Sequence, residues 1–141
     1  MPGMHRGRRL LAVALLASLP ACGGDSPSEP SGPQRALLTS GTGDIAPLSS
    51  GVASFFLVQL GSSAALEATV DWTNPSTPIA LAWGQGDCIQ NPNCTVLAQN
   101  TGTAKPKTLT TAALNPGSYT LLILNLGTTN EPVSYQIFVI R

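Results

Sequence analysis

From Arg35 onward, short apolar runs alternate with clusters of glycine, proline, asparagine and serine. This pattern is typical of strands separated by turns, and no stretch shows the 3.6-residue period of an amphipathic helix. The pattern predicts eight strands, near residues 35–40, 52–60, 64–72, 78–83, 95–99, 107–113, 117–126 and 133–140. Eight short strands in this length favour an all-β fold, a single antiparallel β-sandwich or jelly roll over residues 35–141.

Alternation within the strands predicts which side chains face the core. In the third strand, Leu66, Ala68, Val70 and Trp72 share one face, with Glu67, Thr69 and Asp71 on the other. The first set should therefore be buried. The same reasoning predicts that six further side chains point toward the core: Ile79, Leu81, Trp83, Tyr135, Ile137 and Val139. The segment 119–124 is apolar on both faces, which predicts a central strand covered on both sides.

Ahead of this domain, a basic start and an apolar run at residues 10–19 precede Cys22. The run is too short to span a membrane and suits the central region of an export signal. Leu19-Pro20-Ala21-Cys22 resembles the lipobox of bacterial lipoproteins, with Pro20 where a small residue is commoner. The resemblance implies cleavage after residue 21 and acylation of Cys22, for example with palmitate, to give a stable membrane anchor. The alternative is ordinary secretion with a free thiol at Cys22.

Three segments therefore follow one another along the chain: a signal peptide at 1–21, the lipidated cysteine with a linker at 22–34, and the β-sandwich at 35–141. The linker contains mostly proline, serine and glycine, a composition typical of flexible tethers. Gly23 stands where some bacteria read an aspartate as a signal for the inner membrane. The signal peptide and lipobox predict export to the cell envelope, and the absence of that aspartate favours attachment to the outer membrane.

Charge and histidine content narrow the function classes. The sequence has seven basic and seven acidic residues. Removal of the signal peptide leaves four basic residues and all seven acidic ones, which gives a net charge of −3. This balance disfavours nucleic acid as a partner. The one histidine, His5, lies in the signal peptide. The mature domain therefore lacks the residue needed for Ser-His-Asp or Cys-His catalysis and for His-ligated zinc, and we expect neither an enzyme nor a cofactor.

Cys88 and Cys94 flank a short segment that contains asparagine and proline. Outside the cytoplasm, such a pair would be oxidised, so the spacing predicts a structural disulfide. A redox-active pair is the alternative. It is disfavoured because the spacing is not Cys-x-x-Cys and because no nearby histidine or lysine would lower a thiol pKa.

Several segments together resemble a known family. They are Phe56-x-Val58 before Gly61, the segment 66–72, Leu114-Asn115-Pro116-Gly117-Ser118-Tyr119, and Ser134-Tyr135-Gln136-Ile137. Over residues 50–141 the chain is similar to the bacterial pre-peptidase C-terminal domain, a β-sandwich of jelly-roll type appended to secreted proteases. The resemblance implies an accessory role without catalysis. One departure is Pro78-Ile79-Ala80-Leu81, where the family often has Asp-x-Asp-Leu.

Four residues are weak candidates to face a ligand: Asp44, Asp87, Tyr119 and Tyr135. Each aspartate ends a Gly-x-Gly-Asp stretch, which we interpret as a turn, with a calcium loop as the alternative. The tyrosines, with Trp72 and Trp83, would stack on sugars if they were exposed. We expect them to lie in the core instead.

Other charged residues are expected to be solvated. Glu67 and Asp71 should stand about 13 Å apart along one strand, too far for a glycosidase pair. Lys105-Pro106-Lys107 is interpreted as an exposed turn. The sequence thus favours a non-catalytic, lipid-anchored envelope protein for binding, adhesion or envelope support, with a protein or polysaccharide partner. A carbohydrate-binding module at the cell surface is the alternative.

Overall fold

The computed structural model describes residues 32–51, 53–91 and 94–141. The predicted signal peptide, Cys22 and most of the predicted linker lie outside these residues. The described chain contains eight strands: β1 (Arg35–Ile45), β2 (Ser54–Leu60), β3 (Ala65–Trp72), β4 (Ile79–Gln85), β5 (Thr95–Asn100), β6 (Lys107–Thr110), β7 (Gly117–Asn125) and β8 (Glu131–Ile140). A short 3₁₀ helix, Leu48–Ser50, joins β1 to β2.

The strands form two four-stranded antiparallel sheets, which confirms the predicted β-sandwich. Sheet A has the order β1-β8-β3-β6, and sheet B has the order β2-β7-β4-β5. The predicted central position of β7 is confirmed, because β7 pairs with β2 on one side and with β4 on the other. Strands β1 and β2 are edge strands of their respective sheets.

The core lies between the inner faces of the two sheets. Leu66, Ala68, Val70 and Trp72 of β3 are at most 4% exposed, as their alternation predicts. They belong to one apolar cluster with Leu121 and Ile123 of β7 and with Trp83 of β4. The indole N–H of Trp83 donates to the carbonyl oxygen of Leu109, 3.4 Å away, and so joins the two sheets through the core. Of the residues predicted to point inward, only Tyr135 is half-buried.

Among the described residues, two charged side chains, those of Lys107 and Glu131, are also buried. The carboxylate of Glu131 accepts hydrogen bonds from the backbone N–H of Asn74 (2.6 Å) and from the hydroxyl of Thr77 (2.7 Å). Burial alone would raise the pKa of Glu131, but these bonds outweigh it and hold the pKa below its usual range. The ammonium of Lys107 donates to the carbonyl oxygens of Ile79 and Gly102, and burial lowers the pKa of this lysine. The expectation of an exposed turn was therefore wrong for Lys107.

The disulfide between Cys88 and Cys94 is confirmed, with Cα atoms 5.2 Å apart. The disulfide lies over the outer face of sheet B at Gly84, where an added Cβ would contact both sulfur atoms. Thr120 fastens this loop to β7: its hydroxyl donates to the carbonyl of Gly86 (2.6 Å) and accepts from the backbone N–H of Cys88 (3.1 Å). Thr120 is fully buried as a result.

The prediction that the segment 119–124 is covered on both sides is therefore only partly right. The disulfide loop covers Thr120 on the outer face, whereas Leu122 and Leu124 farther along β7 are half-buried. The segment that covers β7 is distant in sequence, since Cys88 of the disulfide loop and Thr120 are 32 residues apart. The apolar pattern of β7 predicts burial on both faces but does not indicate which segment provides it.

Strand β1 is longer than predicted. We interpreted Gly41-Thr42-Gly43-Asp44 as a turn, but these residues continue β1 and pair with the segment 132–135 of β8. The turn interpretation was wrong because both glycines have ordinary strand geometry; neither has a positive φ. Gly86 does have a positive φ, of 87°, so the second Gly-x-Gly-Asp stretch does leave its strand for a turn.

The packing of the disulfide on Gly84 can be tested by a double-mutant cycle. The Cys88→Ala/Cys94→Ala variant should lose about 2 kcal/mol of unfolding free energy, because a short closed loop no longer restricts the unfolded chain. Gly84→Ala in the native background should cost about 1–3 kcal/mol, because its Cβ would overlap the sulfur atoms. Urea unfolding followed by tryptophan fluorescence measures each value.

In the background without the two cysteines, Gly84→Ala should cost much less, because the sulfur atoms are gone. Gly61→Ala is the matched control, since a Cβ at Gly61 meets no atom within 4 Å. Equal costs for Gly84→Ala in both backgrounds would contradict the packing described here.

Candidate functional site

The outer face of sheet A presents regular rows of polar side chains. The strand register places Ser40, Gln136 and Thr69 side by side across β1, β8 and β3. The next row along these strands consists of Thr42, Ser134 and Asp71. Directly paired residues in adjacent strands point to the same face of a sheet. The sheet itself therefore brings together hydroxyl, amide and carboxylate groups that are far apart in sequence.

These rows line a groove. Two adjoining depressions of about 480 and 420 Å³ share Thr42, Asp71 and Ser134 in their walls. Their other polar side chains include Ser40, Asp44, Thr69, Thr73 and Gln136. We call this combined surface the polar groove. Its walls offer both donors and acceptors of hydrogen bonds to a ligand that lies across the sheet.

The two aspartates of the polar groove differ in their surroundings. The carboxylate of Asp71 lies 2.7 Å from the ammonium of Lys105. This hydrogen bond, together with the backbone N–H of Trp72, holds the pKa of Asp71 below its usual range. Asp44 is exposed and makes no side-chain hydrogen bond or ion pair within the described ranges. Of the two aspartates, Asp44 is therefore the one whose carboxylate a ligand can engage without displacing a protein partner.

Glu67 lies on the same face and is also paired. The guanidinium of Arg35 donates to one oxygen of Glu67 through Nε (2.9 Å) and Nη2 (2.6 Å). The same guanidinium covers the ring of Phe138, 3.2 Å from its centroid. The prediction that Glu67 and Asp71 are solvated surface residues was incomplete, because each carboxylate has a basic partner from a distant part of the chain.

A small slot opens beside the groove, between the edges of the two sheets. It has a volume of about 120 Å³, and Gly43, Asp44, Phe56 and Tyr135 are in its walls. Gly43 faces inward and leaves this space free, since a Cβ there would meet no atom within 4 Å. The rings of Phe56 and Tyr135 pack against each other with centroids 4.0 Å apart. The slot adds an apolar recess to the polar groove.

The structure brings together two of the four residues predicted to face a ligand. Asp44 and Tyr135 both line the slot. Tyr119 is only 4% exposed, and its hydroxyl donates to the carbonyl oxygen of Asn115 (2.7 Å), so its ring is held in the core. The carboxylate of Asp87 accepts from the backbone N–H of Ile89 (3.0 Å) and shapes the disulfide loop. Neither Tyr119 nor Asp87 lies in the polar groove.

The aromatic rings set limits on what the site can do. Trp72 and Trp83 are 4% and 0% exposed, as expected from their phase, so their faces are not available for stacking on a sugar. Within the described ranges, no group of three or more His, Cys, Asp or Glu side chains is placed to hold a metal ion. The arrangement is suited to binding by hydrogen bonds, with a small apolar contact in the slot.

Sequence reasoning missed most of the polar groove. Thr42, Ser134 and Gln136 carry no motif, and only the pairing of β1 with β8 and β3 unites them. The local signal that was present concerns the slot and not the groove. Gly41 and Gly43 are two residues apart, which places both on one face of a strand, and that face points inward.

Comparison of the sequence with models of known protein families and with curated proteins gave no match. Among solved structures, the chain is similar to the Yersinia pseudotuberculosis-derived mitogen, with a TM-score of 0.53 and 16% sequence identity. The similarity covers 74% of this chain and 85% of that chain. At this identity the likeness concerns the fold alone. The described residues include no helix that is both long and apolar enough to cross a membrane.

The two inward glycines of β1 make a matched pair for mutation. A Cβ at Gly41 would lie 2.7 Å from the hydroxyl oxygen of Tyr135, whereas one at Gly43 would meet nothing within 4 Å. Gly41→Ala should therefore lower the unfolding free energy by about 1–3 kcal/mol through overpacking. Gly43→Ala should leave it unchanged or raise it slightly, because alanine restricts the unfolded chain. Urea denaturation measures both values, and equal losses would show that Tyr135 does not occupy the space above Gly41.

Proposed function

We propose that the protein is an exported lipoprotein, anchored to the cell envelope through Cys22, whose β-sandwich binds a polar ligand without catalysis. The observation that carries the binding role is the polar groove on sheet A. Strand pairing aligns its hydroxyl, amide and carboxylate groups on one open face. Rigid strands hold such groups in place at low entropic cost on binding, which favours recognition.

The export part of the proposal has two independent supports. The sequence 19–22 resembles a lipobox and follows an apolar run of the length of a signal peptide. The disulfide between Cys88 and Cys94 belongs to a class of bond that persists in oxidising compartments outside the cytoplasm. A lipid-anchored envelope protein would possess both features.

The absence of catalysis is proposed from the pairing of the carboxylates. General acid–base chemistry on a glycoside needs two carboxyl groups that converge on one bond. Here Glu67 is bound to Arg35 and Asp71 to Lys105. Asp44, which has no such partner, accepts hydrogen bonds from a ligand in this proposal. An accessory role of this kind agrees with the resemblance to the pre-peptidase C-terminal domain.

A saccharide is the second candidate for the ligand class. The polar groove favours it, because side-chain hydroxyl and carboxylate groups can exchange hydrogen bonds with sugar hydroxyls. Stacking would have to use Tyr135, the one half-buried ring among the two tyrosines and two tryptophans. We therefore propose recognition mainly by hydrogen bonds.

The anchor can be tested by metabolic labelling with radioactive palmitate in a bacterium that processes lipoproteins. The native chain should incorporate label and sediment with membranes, because acylation of Cys22 attaches it to the bilayer. Cys22→Ala should lose both the label and the membrane association. The matched control is Cys88→Ala/Cys94→Ala, which removes the two disulfide cysteines and should keep the label. Persistent labelling of Cys22→Ala would contradict the proposed anchor.

The polar groove can be tested by co-sedimentation with purified peptidoglycan and, separately, by capture of detergent-solubilised envelope proteins. Thr42→Val/Asp44→Asn should reduce retention roughly tenfold on whichever probe binds, since a hydrogen bond to a charged group contributes about 1.5–3 kcal/mol. Thr95→Val, on an exposed position of sheet B, is the control and should bind normally. Retention on peptidoglycan would support the saccharide candidate. Equal retention of the groove variant and the control would contradict the groove as the binding surface.

A further inference from the structure

Charge is divided unequally between the two sheets. The strands of sheet A contain six charged residues: Arg35, Asp44, Glu67, Asp71, Lys107 and Glu131. The four strands of sheet B contain no aspartate, glutamate, lysine or arginine. The strands of sheet B can therefore leave water without the large cost of removing a charge from solvent. Asp87, in the disulfide loop over this sheet, has its carboxylate hydrogen-bonded to the backbone N–H groups of Ile89 and Gln90.

Large apolar side chains are also exposed around the β2 edge of sheet B. Leu38, Phe55, Leu57 and Ile89 are 42–47% exposed and line one depression of about 560 Å³. We call these four residues the apolar patch. They come from three separate segments, β1, β2 and the disulfide loop. The polar side chains in the same depression, Thr39 and Gln59, are uncharged. Contiguous apolar surface of this kind marks a place of contact with another apolar body.

The apolar patch lies where the anchor segment joins the domain. Leu38 is three residues beyond Arg35, the first residue of β1. Twelve residues separate Cys22 from Arg35, so their Cα atoms can be at most about 45 Å apart. A tether this short keeps the domain at high effective concentration near any bilayer that holds Cys22. Under those conditions even a weak apolar surface spends much of its time on the membrane.

We propose that the apolar patch rests on the lipid bilayer to which Cys22 is attached. The inference relies on the proposed lipid anchor and adds a second, non-covalent contact made by the folded domain. Phe55, Leu57, Leu38 and Ile89 enter the boundary between headgroups and acyl chains, where apolar side chains gain from leaving water. The contact is peripheral, because β2 is an edge strand whose outer backbone groups are not paired within sheet B and must stay within reach of water.

The test uses the full, lipidated chain in vesicles of phosphatidylethanolamine and phosphatidylglycerol, with or without brominated acyl chains that quench tryptophan. Phe55→Trp places a reporter in the apolar patch. Thr108→Trp places a matched reporter on an exposed position of sheet A. The native Trp72 and Trp83 are buried in the core, and the unsubstituted chain gives their contribution to the signal. Brominated lipid should quench the added signal of Phe55→Trp at least twofold and leave that of Thr108→Trp unchanged.

A second variant separates patch contact from simple tethering. Phe55→Trp/Leu57→Asp introduces a charge into the patch, so its quenching should fall to the level of Thr108→Trp while the protein still floats with the vesicles. Circular dichroism and thermal unfolding establish that each variant is folded. Equal quenching of both reporters, or no quenching of either on floating vesicles, would overturn the patch contact and leave the anchor intact.

Two further outcomes also overturn the inference. If the lipidated native chain does not float with vesicles, the proposed anchor fails, and the membrane contact of the domain fails with it. If Phe55→Trp is unquenched and the native chain sediments as a dimer that Leu57→Asp dissociates, the patch is covered by a second copy instead of lipid.

Discussion

The structure depends on the mutual burial of two inner sheet faces. Neither sheet could remain in water alone, because Leu66 and Val70 of sheet A and Leu121 and Ile123 of sheet B would all be exposed. Each fully buried side chain of this kind stabilises the fold by about 1.5–3 kcal/mol relative to its exposed state. Trp83 adds a directional element, since its indole N–H reaches Leu109 on the opposite sheet. Because the packing of the inner faces stabilises the fold, the two outer faces can carry different kinds of side chain.

In both sheets, glycines admit neighbours that a larger residue would exclude. On sheet B, Gly84 leaves room for the disulfide, which in turn covers Thr120. On β1 of sheet A, Gly41 leaves room on the inner side for the ring of Tyr135, and Gly43 leaves the slot open. Larger residues at these positions would improve local strand propensity but would remove the features that give each sheet its surface.

The sequence predicts features that depend on neighbouring residues and misses those that depend on pairing. The eight strands follow from apolar runs bounded by turn residues, except that β1 extends beyond its predicted end, and the buried face of β3 follows from alternation. The ion pair between Arg35 and Glu67 spans 32 residues, and no local pattern indicates it. The polar groove is missed for the same reason, because its rows exist only once β8 lies between β1 and β3. Asp44 was found as a candidate, but its Gly-x-Gly context was interpreted as a turn.

The polar groove and the proposed membrane contact occupy opposite sides of the sandwich. A residue on the outer face of sheet A points away from sheet B, so side chains such as Thr42 and Ser134 point away from any surface on which Phe55 and Leu57 rest. If the apolar patch holds sheet B against the bilayer, the groove faces the surrounding solution with its hydroxyls and Asp44 accessible. The distribution of charge between the strands agrees with that orientation, because the strands of sheet B would bring no charge into lipid, whereas Asp44 and Asp71 of sheet A would remain in water.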